Sequence, residues 1–144
     1  MPSLVELHSL SDAQVSDLLA LMAELDDSLE VTPAMLRAVA ASPSSHLFAA
    51  VCEDGRIAGC ATLGVFASPT GVKACVEDVV VGSSWRGQGL GRALLEHIIS
   101  YARLELAPVE IHLTSRPMRV AANALYASLG FERKETNFYR LVIR

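Results

Sequence analysis

The stretch SSWRGQGLGRALL, from Ser83 to Leu95, joins the apolar run at Val79–Val81 to a segment with helical periodicity. Gly87, Gly89 and Gly91 stand at every second position, where they let the backbone come close to a bulky ligand. A strand, a glycine-rich turn and a helix start together form either a plain connector or an anion site. The second interpretation rests on the N–H groups and the dipole of the first helical turn, which attract negative charge.

Spacing tests two familiar phosphate-binding motifs against this stretch. A Walker loop needs Lys and then Ser or Thr after its last glycine, whereas Arg92 and Ala93 follow Gly91 here. A Rossmann fingerprint needs Gly or Ala three residues after its second glycine and opens the first βαβ unit, and neither condition is met. The Walker loop is excluded and the dinucleotide fold is disfavoured, while a phosphate cradle and a connector both stay open.

Composition sets the class of protein. The chain has 144 residues, 51% of them hydrophobic and 19% charged, which is typical of one globular domain, and we treat residues 1–144 as that domain. The net charge of −4 disfavours a nucleic-acid partner. Neither a signal peptide nor a long apolar stretch is evident, so we expect a soluble, cytoplasmic protein with no membrane association. Scattered histidines and three cysteines without CxxC spacing predict reduced thiols and no metal site.

Local patterns predict the order of strands and helices. Ser11 with Gln14, at capping-box spacing, and Thr32 before Pro33 mark two helix starts, and Asp54-Gly55 marks a hairpin turn. Strands are predicted at residues 3–8, 46–51, 57–66, 72–81, 109–114 and 137–143, and later helices at 91–106 and 120–130. This order predicts a mixed sheet with helices on both faces.

Three features together resemble one family. The run Arg86–Gly91, RGQGLG, matches the R/Q-x-x-G-x-G/A signature of the GCN5-related N-acetyltransferase (GNAT) superfamily. VEDVVV directly precedes it, and ANALYASLGF at 122–131 is similar to the family's later helix with its tyrosine and closing Gly-Phe. The resemblance is close over residues 72–141. It implies an α/β (α+β) GNAT fold with a mixed, mostly antiparallel sheet of about six to seven strands and about four flanking helices.

The resemblance also implies acetyl-coenzyme A (acetyl-CoA) as cosubstrate, with its pyrophosphate on the backbone N–H groups from Gln88 to Arg92. Backbone groups of a splayed strand would hold the pantetheine arm, and a helical asparagine would bond its amides, although that strand also fits a buried core role and the asparagine a capping one. The implied cofactor-binding residues are Val79, Val80, Val81, Arg86, Gly87, Gln88, Gly89, Leu90, Gly91, Arg92 and Asn123.

Tyr126 stands where the family carries a general-acid tyrosine, and the resemblance favours that role over an aromatic core anchor. Glu77 and Asp78 are adjacent, so on a regular strand only one of them faces a cleft. Alternation groups Glu77 with Val79 and Val81, and it groups Asp78 with residues 76 and 80. The glucosamine-phosphate branch of the family favours Glu77 as a base acting through water. Asp78, no dedicated base, or a merely solvated strand carboxylate stay open.

The resemblance therefore implies direct transfer of an acetyl group to a primary amine of a small molecule in a ternary complex. A protein or peptide acetyltransferase and a catalytically silent CoA-binding domain are the alternatives. The acidic stretch ELDDSLE, Glu24–Glu30, fits either attraction of a cationic amine or a solvated helix end. A homodimer is expected by analogy alone.

Overall fold

The computed structural model describes residues 1–144, which divide into two units, Met1–Leu113 and Thr114–Arg144. The second unit contains one helix, α4 (Val120–Ser128). The first unit contains β1 (Ser3–Leu7), α1 (Asp12–Leu25), α2 (Pro33–Ala41), β2 (Ser45–Val51), β3 (Ile57–Ser68), β4 (Gly71–Val81), α3 (Leu90–Tyr101) and β5 (Val109–His112). A 3-10 turn at Ser83–Trp85 precedes α3, and a π-helical turn at Ala102–Leu106 follows it.

The predicted helix caps are confirmed by their hydrogen bonds. The backbone N–H of Gln14 donates to Ser11 Oγ at 3.1 Å, and the backbone N–H of Ser11 donates to Gln14 Oε1 at 2.9 Å. The N–H of Met35 donates to Thr32 Oγ1 at 3.2 Å. These bonds occupy N–H groups that have no partner within the helix, and they fix where α1 and α2 begin.

The five strands form one sheet in the order β1-β2-β3-β4-β5. The first three pairings are antiparallel and the last, between β4 and β5, is parallel. A parallel pair needs a crossover connection, and α3 provides it. The mixed, mostly antiparallel sheet is as predicted.

Helices pack on both faces of this sheet, because adjacent strand residues belong to different apolar clusters. Ala49 lies in a cluster with Leu18 of α1 and Leu36 of α2. Its neighbour Ala50 packs instead with Leu90 of α3. Since successive side chains of a strand point to opposite faces, α1 and α2 cover one face and α3 covers the other.

A β-bulge interrupts the pairing of β3 with β4 at Asp78. Cys60 pairs with Val80 and Thr62 pairs with Glu77, so β4 contains one more residue than β3 between these two pairs. Asp78 has φ +52°, in the left-handed region that aspartate tolerates better than most residues. The extra residue reverses the side-chain alternation of β4 from this point onward.

One predicted strand is wrong. Residues 137–143 form no strand, and the sheet has five strands instead of the expected six to seven. Phe138 and Tyr139 are 73% and 85% exposed. Apolar and aromatic composition gives this segment a β-propensity, but a strand needs an edge to pair with, and these residues pair with none in the structure.

The helix expected at 120–130 is present as α4. It ends at Ser128, two residues before Gly130, whose φ of +97° is typical of a glycine that terminates a helix. The helix expected at 91–106 is also present, although its last turn is π-helical.

The close packing of β3 against β4 predicts a position-specific cost for adding one methyl group. A Cβ at Gly59 would lie 2.9 Å from the Val80 carbonyl oxygen and 3.3 Å from Val81 Cα, whereas a Cβ at Gly64 of the same strand would have no neighbour within 4 Å. We expect Gly59→Ala to lower the free energy of unfolding by about 1–3 kcal/mol in urea denaturation. Gly64→Ala is the control and should cost nothing; equal effects would contradict the packing described.

Candidate active site

The parallel strands β4 and β5, at one end of the sheet, pair over only part of the length of β4. β5 pairs with β4 only from Val72 to Cys75, opposite Val109 to His112. From Val76 to Val81, the edge of β4 that faces away from β3 has no strand beside it. Backbone N–H and C=O groups require partners, so an extended ligand could bind along this edge in the manner of an added strand.

Glu77 lies on the face of the sheet that α1 and α2 cover. It pairs with Thr62, which pairs in turn with Leu47 of the apolar cluster under those helices. Residues directly opposite each other in an antiparallel pair project from the same face. Val80, beyond the bulge, belongs to the same cluster.

Because of the bulge, the side chains of β4 are grouped differently from what simple alternation predicts. Glu77 was expected to share a face with Val79 and Val81, but Val81 packs beside Leu90 of α3, on the other face. That expectation is wrong because Asp78 adds one residue between the two halves of β4.

The second grouping, of Asp78 with Val76 and Val80, is wrong for the same reason. Val76 pairs with Leu63, and Leu63 pairs with His46, whose ring lies 4.9 Å from that of Tyr101 in α3. Val76 is thus on the α3 face, while Val80 is on the face of α1 and α2.

Partial burial and a neighbouring carboxylate together raise the pKa of Glu77. Partial desolvation is the larger cause, and the negative charge of Asp78 is the second. Burial, with Asp78 again as the second cause, raises the pKa of the Cys60 thiol to about 12, so this cysteine stays protonated at neutral pH. The bulge thus places a carboxyl group with increased proton affinity at the point where β4 loses its partner strand.

The glycine-rich turn leads from the open edge of β4 into α3. Gly87 and Gly89 both have φ +78°, and a Cβ at either position would meet nothing within 4 Å. Gly89 is the N-cap of α3, no side chain caps the helix, and the first helical bond runs from the Ala93 N–H to the Gly89 carbonyl at 3.0 Å. The helix start is consequently open to an anion, and Leu90 anchors it at 1% exposure.

The beginning of the turn is held by hydrogen bonds that the sequence pattern did not reveal. The Gly82 N–H donates to the Ala58 carbonyl at 2.8 Å, and the Ser83 N–H donates to Glu24 Oε1 of α1 at 3.0 Å. Arg86 Nε donates to the Val81 carbonyl at 3.1 Å. Arg86 therefore folds back onto the end of β4. Glu24 lies 59 residues from Ser83 in the chain, and no local motif connects the two.

Tyr126 and Asn123 lie in α4, within the second unit. The Tyr126 ring packs edge-on against Phe131 with centroids 6.1 Å apart, and the Phe131 N–H donates to the Tyr126 carbonyl at 3.1 Å. Asn123 Nδ2 donates to the Arg116 carbonyl at 2.9 Å, which ties α4 to the segment before it.

All three cysteines are free, and no cluster of His, Cys, Asp and Glu side chains has the arrangement of a metal site. No helix is both long and apolar enough to cross a bilayer. Arg92 forms an ion pair with Glu96 at 3.3 Å, one turn along α3.

The sequence profile of the acetyltransferase (GNAT) family matches residues 13–131, most of both units. The chain belongs to the GNAT acetyltransferase family. The family implies use of acetyl-CoA, and the residues present fit this group: the open edge of β4 offers backbone partners to an extended arm, and the space above Gly87 and Gly89 admits a bulky phosphate.

Similar proteins are named N-acetyltransferases. An aminoglycoside N(6')-acetyltransferase type 1 of Stenotrophomonas maltophilia is 31% identical over 129 residues, covering 84% of this chain and 79% of that protein. The N-alpha-acetyltransferase RimI of Mycobacterium tuberculosis is 30% identical over 70% of this chain, which spans only 61% of that relative's length. A putative acetyltransferase from Agrobacterium tumefaciens str. C58 superposes with a TM-score of 0.81 at 28% identity, covering 97% of this chain and 99% of that one. These relationships make this GNAT protein an acyltransferase enzyme.

The charge of Asp78 predicts a shift in the pKa of Glu77 that is independent of any substrate. We expect Asp78→Asn to lower the pKa of Glu77 toward its ordinary value of 4.5, because the variant removes a neighbouring negative charge and leaves only desolvation. Asparagine also tolerates the positive φ at this position. Carboxyl NMR titration measures the change, with Glu110, held by Lys73 and His112, as an internal control that should not move. An unchanged Glu77 titration would contradict the geometry of the bulge.

Proposed function

We propose that residues 1–144 act as one acetyltransferase domain that transfers the acetyl group of acetyl-CoA to a primary amine of a small, cationic molecule. The observation that carries the proposal is the continuity of the unpaired β4 edge, Val76–Val81, with the uncapped start of α3 at Gly89. The pantetheine arm of coenzyme A is extended and suits the β4 edge, and its pyrophosphate is an anion and suits the start of α3.

In this proposal the backbone N–H groups from Gln88 to Arg92 bind the pyrophosphate, assisted by the dipole of α3. The backbone of Val79–Val81 holds the pantetheine arm, and Asn123 bonds its amides. Arg86 contributes chiefly by fixing the turn, since its Nε already binds the Val81 carbonyl. Gly87 and Gly89 keep the approach to the N–H groups open, and Gly91 and Leu90 set the first turn of the helix.

The reaction is direct attack of the neutral amine on the thioester carbonyl in a ternary complex. The developing oxyanion needs a fixed donor, and a backbone N–H of the open β4 edge supplies one. The C–S bond then breaks, and the thiolate takes a proton from the Tyr126 hydroxyl, which acts as general acid. A free alkyl ammonium has a pKa near ~10.4, so a base must also take a proton from the acceptor.

Glu77 is the proposed base, acting through a water molecule. Its raised pKa increases its ability to hold a proton, and its position beside the open edge suits a group that serves the acceptor. Glu77 accepts protons only while ionised, so turnover should fall as the pH drops through its raised pKa.

Charge favours a cationic acceptor. Unit Met1–Leu113 contains 14 Asp and Glu residues against 6 Lys and Arg, a net charge of −8, although the whole chain is at −4. Such a surface attracts cations to a site within it. The relative named for aminoglycosides points to the same class of acceptor. Asp26 Oδ1 accepts the Ser28 N–H at 3.0 Å and the Ser28 Oγ–H at 2.7 Å, which lower the pKa of Asp26 and keep it ionised. Asp26, Asp27 and Glu30 are therefore the proposed carboxylates that attract an amine.

A protein or peptide N-terminus is the second candidate acceptor. The similarity to RimI, named an N-alpha-acetyltransferase, favours it, and a peptide α-amine has a pKa of only ~7.7–8.0, so less of it must be deprotonated. A homodimer stays an expectation by analogy, and a cytoplasmic location stays an expectation from the sequence.

Donor binding is tested by placing a carboxylate at the start of α3. We expect Gly89→Glu to weaken acetyl-CoA binding at least about tenfold in calorimetry, because the new charge and side chain occupy the pyrophosphate position. Gly55→Glu, in the β2–β3 hairpin, is the matched control. It has a similar φ of +88° and equally open surroundings, so its backbone strain is comparable, but it lies outside the proposed site. Equal affinity in both variants would refute the proposed phosphate site.

The acid role of Tyr126 is tested by removing one oxygen atom. We expect Tyr126→Phe to reduce kcat about 10²-fold or more between pH 7 and 9 while acetyl-CoA affinity is retained, because the thiolate loses its proton donor. Thiol release, measured over a panel of polyamines, aminoglycosides and peptides, provides the rate. Tyr139→Phe is the control, because Tyr139 is 85% exposed in the same unit. Unchanged turnover in Tyr126→Phe would remove this residue from the chemistry.

A further inference from the structure

Helix α1 holds the turn that leads to the proposed donor site. The carboxylate of Glu24, at the last turn of α1, accepts the backbone N–H of Ser83 at 3.0 Å. Ser83 begins the 3-10 turn that leads from β4 into the glycines. The bond therefore joins a helix on the face of Glu77 to the backbone between the two parts of the donor site.

The other bonds of this turn come from the sheet or from the turn itself. The Gly82 N–H continues the pairing with β3 through Ala58 at 2.8 Å, and the Trp85 N–H closes the 3-10 turn on the Gly82 carbonyl at 2.9 Å. Arg86 binds back to Val81. The bond from Glu24 therefore restrains the turn from outside the sheet, at Ser83, four residues before Gly87.

The packing beneath this contact is tight. A Cβ at Gly82 would lie 3.0 Å from Trp85 Cε3 and 3.3 Å from Leu21 Cδ2 of α1, so the backbone approaches the helix closely here. Hydrogen bonds from Ser83 are the main cause of a lowered pKa of Glu24, and the charge of Arg86 contributes less. Glu24 is therefore ionised at neutral pH.

A carboxylate so close to a phosphate-binding turn has two opposite effects on a donor. Its charge repels a pyrophosphate and competes for Arg86, which would weaken donor binding. Its hydrogen bond fixes the turn in one conformation before the donor arrives, which would strengthen binding by reducing the ordering cost. The two effects predict opposite results when the carboxylate is removed.

We propose that Glu24 is a positioning residue that orders the donor-binding turn through the Ser83 N–H, and that this ordering outweighs its repulsion of the donor. The proposal rests on the donor site proposed above. Glu24 touches neither reacting group. Its effect should appear in the affinity and KM for acetyl-CoA, with little change in kcat or in the KM of the acceptor.

The experiment measures acetyl-CoA binding by calorimetry, without acceptor, in Glu24→Ala and Glu24→Gln. We expect Ala to weaken binding about 5- to 10-fold, within the range of one ordinary hydrogen bond, because the lost bond to the carboxylate is partly offset by the removal of its repulsion of the donor. Gln should recover much of the loss, because its amide oxygen still accepts the Ser83 N–H. The control is Glu105→Ala in the π-helical turn that follows α3, an exposed carboxylate at the opposite end of that helix from the donor-binding turn.

Tighter or unchanged binding in Glu24→Ala would overturn the proposal, as would a Gln variant as weak as Ala. Equal weakening in Glu105→Ala would also overturn it, by showing a general effect of charge. Gly89→Glu distinguishes failure of the role of Glu24 from failure of the proposed donor site. If it abolishes binding while Glu24→Ala does not weaken it, only the role of Glu24 fails; if neither variant affects binding, the donor site itself is wrong. Thermal unfolding of each variant identifies any loss of folded protein.

Discussion

The hydrogen-bonding requirement of the β4 backbone governs the organisation of the site. β4 is paired along β3, but its other edge is paired with β5 only from Val72 to Cys75. The remaining edge, Val76–Val81, carries polar backbone groups without a neighbouring strand, in a sheet whose two faces are covered by helices. Such groups need partners, and an extended ligand that ends in an anion satisfies both this edge and the start of α3.

The bulge at Asp78 belongs to the same arrangement. It turns Glu77 toward the face of α1 and α2 while returning Val81 to the face of α3, beside Leu90. Glu77 and the residue that leads into the glycine turn, Val81, consequently project from opposite faces of β4. In the proposed reaction, the candidate base and the residue that leads into the donor-binding turn therefore belong to the same short segment of β4 but are packed against different helices.

Much of the fold could be predicted because its signals are local. Ser11 with Gln14, Thr32 with Pro33, and Asp54 with Gly55 each act through neighbours within a few residues, and the glycine turn was recognisable from spacing. Family resemblance then identified the class of donor, which the profile match supports.

The remaining features depend on contacts that are distant in sequence or on backbone conformation. Asp78 in a run of valines looks like an ordinary strand residue, so alternation grouped Glu77 with the wrong residues of β4. Residues 137–143 have the composition of a strand, but composition cannot show whether a sheet edge is available to them. The Glu24–Ser83 bond joins residues 59 positions apart and has no motif.

Amide hydrogen exchange, followed residue by residue with and without coenzyme A, tests the central claim most directly. We expect coenzyme A binding to slow exchange at the backbone N–H groups of Val79–Val81 and of Gln88–Arg92, and to leave the β1–β2 pairing unaffected. Protection confined to other parts of the chain, with both of these segments unchanged, would contradict the claim.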